Sequence, residues 1–381
     1  MYELRKQLPK GLRSLRWLPA YAWQRLIRRS PIMTPVHLAI ALADHFEPSI
    51  LPNAHGRRCN MEKQESRVER WCNEYPRAVE RWRDSDGHPF RHTYFFPAEQ
   101  YDKGLVDRLA EHCHAGWGEI EIHLHHGLEA PDSGENTRRL LEECRDALVG
   151  HGCLSRWNGI GPPRYAFVHG NWALANSARG RFCGVDEEMH ILAETGCYAD
   201  FTLPAAPSLA QVGKINSLYE CGLPLHVRAP HRRGRDLRRG RPPTTFPLII
   251  QGPLGLNFSR QVNGWPLPCI ENGALTTLYP PSMHRLSLWR QAGITVIGRP
   301  DWIFIKMHCH GMDPRDEAAM LGAPLKQFLR QLTETAHSSG EYMVHFVTAR
   351  EMVNIALAAC DGRDGNPGEY RDYRLVPISK A

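Results

Sequence analysis

The feature that most constrains this chain is a stretch of strict alternation, Glu119-Ile-Glu-Ile-His-Leu-His-His126. Ile120, Ile122 and Leu124 interleave with Glu119, Glu121, His123 and His125, so a period of two puts those four polar residues on one face of a strand, successive members ~7 Å apart. Two carboxylates and two imidazoles on one face need solvent or polar company, whereas the other face needs a core. Ile303-Phe-Ile-Lys-Met-His-Cys-His-Gly311 repeats the design, with Ile305, Met307 and Cys309 on one side and Lys306, His308 and His310 on the other. Both stretches become histidine-rich at their C-terminal ends, which is where β/α barrels keep their chemistry.

Other apolar stretches end the same way. Val36–Ala43 runs into Asp44-His45-Phe46-Glu47-Pro48, where Pro48 forbids further regular pairing. Arg164–His169 delivers His169 just ahead of Asn171 and Trp172, and Cys197–Phe201 delivers Asp200. Strands are also expected at His92–Phe96, Pro247–Ile250, Ile294–Ile297 and Met343–Val347. Helical periodicity fills the gaps, over Met61–Arg83, Glu99–His114, Glu135–Val149, Asp186–Glu194, Leu209–Tyr219, Pro281–Gln291, Pro314–Glu334 and Ala349–Ala359. That succession predicts an α/β fold. Residues 34–360 read as its body, residues 1–33 as a basic arm and residues 361–381 as an exposed tail; residues 228–270, rich in Arg, Pro and Gly, read as a long inserted loop.

Charge excludes one class of function. The formal net charge is +6, but residues 1–30 carry +7 and residues 228–241 carry +6, leaving −7 on the rest. Basicity confined to an arm and a loop does not predict a nucleic-acid partner, and no phosphate-binding glycine motif is present. Eleven cysteines without a C-x-x-C pair point to a reducing, cytoplasmic setting. In the arm, Arg13, Arg16, Arg25, Arg28 and Arg29 break up the apolar residues, so neither a signal peptide nor a spanning helix is expected. A peripheral contact of this arm, through Trp17 and Trp23, with the inner membrane surface competes with a solvated helix.

One carboxylate and two or three imidazoles delivered by separate strands suit a divalent cation, Zn²⁺ first, with Co²⁺, Ni²⁺ or Mn²⁺ as alternatives. Such a site lowers the pKa of bound water and polarises a carbonyl. Taken singly, Asp44 also suits a helix cap or turn, and His169 a hydrogen-bonded core position.

These segments resemble the NodB-like polysaccharide deacetylases of the glycoside hydrolase/deacetylase barrel superfamily, over roughly residues 36–126, 164–202 and 294–360, including Tyr342-Met-Val-His-Phe-Val-Thr-Ala-Arg-Glu-Met352. The resemblance implies a distorted (β/α)7-type barrel that removes acetyl groups from an N- or O-acetylated sugar or polysaccharide. It implies Asp44, His123 and His125 as metal ligands. It further implies His169, Asn171 and Trp172 as a wall of the substrate groove, Asp200 as a group shaping the site, and His308 or His310 as general acid. The usual second carboxylate of the first motif is missing, since Ala41 and Ala43 precede Asp44, so Glu47 becomes the expected base. His-x-His replaces the usual wider histidine spacing, and Val168-His169 stands where many relatives have arginine. Two other functions fit the same residues. One is a glycoside hydrolase using Glu47 or Glu121 with Asp200; the other is an inactive relative that binds glycans through its tryptophans and the Arg228–Arg241 loop.

Overall fold

Period-two patterning and helix caps account for most of the architecture. A computed structural model of the chain describes residues 15–28, 35–52, 58–259, 261–262 and 264–378. Arg13 and Arg29 of the basic arm and residues 379–381 of the tail lie outside them.

The strands, in chain order, begin with β1 (Val36–His45), β2 (His92–Pro97), β3 (Gly118–Leu124), β4 (Ser155–Trp157), β5 (Ile160–His169) and β6 (Cys197–Asp200). They continue with β7 (Leu218–Cys221), β8 (Gly234–Asp236) and β9 (Leu248–Ile250), then a short ribbon of β10 (Gly255–Asn257), β11 (Gln261–Val262), β12 (Trp265–Pro266) and β13 (Cys269–Glu271). The last three are β14 (Trp302–Cys309), β15 (Tyr342–Phe346) and β16 (Leu375–Pro377). One twelve-stranded sheet has the path β14-β1-β2-β3-β5-β6-β9-β7-β8, with β15 also paired to β1, β4 to β5 and β16 to β4. From β14 to β9 every neighbouring pair is parallel; β7 and β8 are antiparallel additions.

Parallel neighbours need crossovers, and the helices supply them. They are α1 (Leu18–Ile27), α2 (Met61–Val79), α3 (Lys103–His112), α4 (Gly134–Gly150), α5 (Glu188–Thr195), α6 (Met283–Gln291), α7 (Glu317–Leu321), α8 (Ala323–Ser339) and α9 (Ala349–Cys360). Their starts are encoded locally: Asn60, Asp102, Ser133 and Ser282 accept a first-turn backbone N–H, and Thr348 with Glu351 forms a capping box opening α9.

The two faces of the sheet bury separate cores. Val36, Leu38, Ile40 and Leu42 of β1 pack with the helix layer, together with Ile120, Ile122 and Leu124 of β3. Ala39, Ala41 and Ala43 face the other way, into a core shared with Val168, Leu248, Ile250, Phe304 and the fully buried α9. Small residues on β1 leave room for that helix.

Several expectations are corrected. The sheet edges approach one another through residues 294–297, expected as a strand: Phe304 N donates to Ile294 O at 2.8 Å and Ile297 N to Leu237 O at 2.9 Å. These are isolated bonds and not a ladder. Residues 209–217 form turns and not a helix, because the Gln211 side chain accepts from Ala205 N and Ala206 N and draws the chain back on itself. The expected inserted loop contains β9, a buried member of the parallel set, because Leu248, Ile249 and Ile250 are all apolar and cannot remain in solvent. Nor is the C-terminus a free tail: β16 pairs with β4, and buried Arg371 binds Asp84 and Asp86 at 2.8 and 2.9 Å. The described part of the arm docks as well, with Trp17 fully buried beside Ile215 and Leu254, and Arg28 donating to Asn216 O at 2.8 Å. Among the described residues no helix is long and apolar enough to cross a membrane.

Candidate metal centre

Every residue on the polar face of β3 finds polar partners. Glu119 receives Arg350 of the buried helix α9 at 2.7 Å and the hydroxyl of Thr348, the cap of that helix, at 2.8 Å. Glu121 accepts from the Tyr198 hydroxyl and from Ala166 N, and burial raises its carboxyl to about 8. His123 and His125, the last two, turn into a cluster at the C-terminal end of the sheet.

There the rings are held in defined tautomers. His123 Nδ1 donates to Val168 O at 2.8 Å, and His125 Nδ1 donates to Glu99 Oε1 at 2.9 Å. Both acceptors are oxygens without a proton to give, so each Nδ1 carries a proton and each Nε2 is the nitrogen left to face the cluster. The two Nε2 atoms converge on one carboxylate oxygen, Glu47 Oε1, at 3.3 and 3.6 Å. A carboxylate or carbonyl behind each imidazole is the arrangement that orients metal-binding histidines. A second triad, His45, Glu47 and His310, overlaps the first through Glu47. His45 stacks obliquely on His123 and His310, with ring centroids 4.8 and 4.7 Å apart. Carboxylate and imidazole groups clustered in this way could hold a metal ion.

Electrostatics fit a cation. Burial alone would raise the Glu47 carboxyl, but the His123 hydrogen bond and the nearby His125 and His310 hold it at about 2. Burial, then His310, His123, His308 and Lys306, push His45 well below its ordinary range. His308 is likewise pushed well down, by burial, Lys306 and His310, and its Nδ1 has no hydrogen-bond partner among the described residues. Held neutral, the His308 ring would act as an acid only after taking up a proton first. His310, Trp172 and His308 line a cleft of about 430 Å³ beside this cluster. A larger cavity, about 1000 Å³, opens near Val36 and Ile303 at the opposite strand ends, away from the imidazoles.

Two expected site residues lie elsewhere. Asp44 belongs with Leu38, Ile40 and Leu42 on the outer face, where it accepts from Gly311 N at 2.7 Å and meets His92 Nδ1 at 3.1 Å. Parity separates it from His123 and His125; Glu47, one loop residue beyond Phe46, takes its place. His169 is no groove wall, because Tyr165, Phe167 and His169 share the outer face and only Ala166 and Val168 point inward. Asn171 and Trp172 remain at the inner end, half-buried, with the Trp172 ring 6.4 Å from His45. Asp200 is buried and accepts from the Thr202 hydroxyl at 2.6 Å; burial raises its carboxyl to about 7. Lys306, lowered to about 7 by burial, donates to Phe201 O at 2.7 Å.

Sequence reasoning missed His45 and Glu99. Extending β1's alternation from Ala39, Ala41 and Ala43 would have found His45. Nothing local marks Glu99, which stands on a single turn, Ala98–Gln100, directly after β2. No protein-family model matches the chain, and no curated protein matches it.

Proposed function

We propose that the protein is a metal-dependent hydrolase that removes acyl groups from an N- or O-acetylated sugar or glycan, on a sheet curled into a (β/α)7-type barrel. The observation that carries this reading is the convergence of His123 Nε2 and His125 Nε2 on Glu47, each ring backed by an oxygen acceptor, beside an open cleft. Glu47, His123 and His125 would hold the ion, with His45 and His310 adjacent, and the mixed nitrogen and oxygen donor set favours Zn²⁺. When bound, the ion would polarise the acyl carbonyl and lower the pKa of a water.

The chain's own residues do the rest. His308, neutral and lining the cleft, receives the proton of the attacking water and returns it to the leaving amine or alcohol. Trp172 presents a flat apolar surface on which a sugar ring can stack. Asp200 and Lys306, buried together behind His308, set the local charge.

A second reading, glycoside hydrolysis, draws on the opposite shifts of two carboxyls, Glu47 down and Asp200 up, since one ionised and one protonated acid is what that chemistry needs. The test is elemental analysis of purified protein followed by assays for acetate and for free sugar on acetylated oligosaccharides with added Zn²⁺ or Co²⁺. Acetate release that disappears in His123→Ala and His125→Ala is expected. Sugar release without acetate would favour the second reading, and folded protein that takes up no metal at all would remove the first.

A further inference from the structure

On the outer side of β3's end, directly behind His125, four side chains meet that the proposed reaction does not use. His126 continues the strand's alternation to the opposite face. It meets His169 from the end of β5, with Cys183 from the following loop and Glu188 from the start of α5. All four are buried, His126 at 4% exposure and the others at 0%. Their donor atoms lie within 4.8 Å of one another. His126 Nε2 is 3.1 Å from His169 Nε2 and 3.0 Å from Glu188 Oε1; His169 Nε2 is 3.5 Å from that same oxygen, and Cys183 Sγ is 3.6 Å from Glu188 Oε2. Tetrahedral zinc with bonds of ~2.0–2.3 Å separates its ligand atoms by ~3.3–3.7 Å, close to these spacings.

Tautomers sharpen the case. His126 Nδ1 donates to Asp132 Oδ2 at 2.9 Å, and His169 Nδ1 donates to Gly170 O. Asp132 also accepts from Ser133 N at 2.8 Å and from Asn136 Nδ2 at 2.9 Å, so His126 Nδ1 is the donor of that pair. With both Nδ1 protons committed, two Nε2 lone pairs point at each other and at a carboxylate, which is repulsive unless a cation sits between them. A proton on His126 is one such cation, with the Cys183 thiol then donating to Glu188 Oε2 at 3.6 Å; a metal ion is the other, and it alone takes the sulfur as a thiolate ligand. Cys183 Sγ accepts from Asn176 N at 3.3 Å and Val185 N at 3.4 Å, two backbone donors aimed at sulfur as they would be at a thiolate.

The loop itself needs a clamp. Asn171, Trp172, Ala175, Asn176, Arg179 and Phe182 all have positive φ without being glycine, conformations that persist only where the surroundings impose them. The clamp point is tight: a Cβ on Gly127 would lie 2.2 Å from Cys183 O, and Asp132 N donates to Cys183 O at 2.8 Å.

We propose that His126, His169, Cys183 and Glu188 form a second, closed zinc site that fastens the 170–187 loop, with Asn171 and Trp172, against the end of β3. Two imidazoles, a thiolate and a carboxylate leave no open position, so the role is structural. Adjacent residues His125 and His126 serve the two centres from opposite faces, yet the second site stands whether or not the first is catalytic.

Cobalt separates the two, because only the second contains sulfur. Full-length protein is stripped of metal and reconstituted with Co²⁺ alone, and its near-ultraviolet spectrum is read for a thiolate-to-cobalt charge-transfer band. The band is expected in the wild type and in the His123→Ala/His125→Ala variant, and in Cys309→Ser, which removes the thiol beside Asp44 and His92. It should vanish in Cys183→Ser, with one metal equivalent fewer and faster proteolysis within residues 170–187. If Cys183→Ser does not fold, the wild-type spectrum decides. Absence of the band in reconstituted wild type, or its survival in folded Cys183→Ser, would overturn the proposal; acetate release bears only on the first centre.

Discussion

Replacing Glu99 tests whether the first centre is organised as its geometry implies. Glu99 touches no proposed substrate and is not a ligand. Its carboxylate accepts from His125 Nδ1 at 2.9 Å and from His125 N at 3.2 Å, fixing both ring and backbone. Burial by itself would lower His125, and Glu99 together with Glu47 raises it above its ordinary value. Glu99→Ala therefore does two things: it frees the ring to rotate and it makes Nε2 a poorer donor. Outer-shell partners of this kind contribute ~10–100-fold in metal affinity, about 1.4–2.7 kcal/mol. Glu99→Gln keeps an oxygen acceptor without the charge and should fall between the variant and the wild type. Zn²⁺ competition against a chromophoric chelator measures the change, and His125 in the metal-free Glu99→Gln protein should titrate at lower pH by NMR. Unchanged zinc affinity in folded Glu99→Ala would refute the claim that His125 Nε2 is a ligand.

Two further predictions follow from where side chains lie. Asp44→Ala removes a buried acceptor from Gly311 N and His92, at a cost of about 3–5 kcal/mol in urea denaturation, but leaves cobalt uptake by the Glu47 centre intact; specific loss of that metal would restore Asp44 as a ligand. His112 is lowered to about 3, first by burial and then by His92 and Arg108, so its folded pKa lies below its unfolded one. The stability it confers is complete above pH ~6.5 and is lost as pH falls toward 3, at about 1.4 kcal/mol per pH unit inside that window. His112→Phe should flatten the fall in stability between pH 6.5 and 5 by that amount, and an unchanged slope would contradict a neutral buried ring.

Much of this protein was legible locally. Alternation along Glu119–His126 and Ile303–His310 assigned every inward residue of β3 and β14 correctly, because side-chain direction in a strand depends only on parity. Helix starts at Asn60, Ser133 and Thr348 were equally local, since a cap satisfies donors two or three residues away. The same parity rule, applied to β1, separates Asp44 from His45; a carboxylate at a strand's end is a ligand only if it also has the right face.

What the tertiary structure alone decided is which distant groups complete each cluster. Glu47 and Glu99 sit in turns after β1 and β2, and Cys183 and Glu188 lie fourteen and nineteen residues beyond His169. No periodicity links such positions to the histidines they meet. Their convergence comes from parallel strands packed side by side, which bring the loops at one end of the sheet together whatever their separation in the chain.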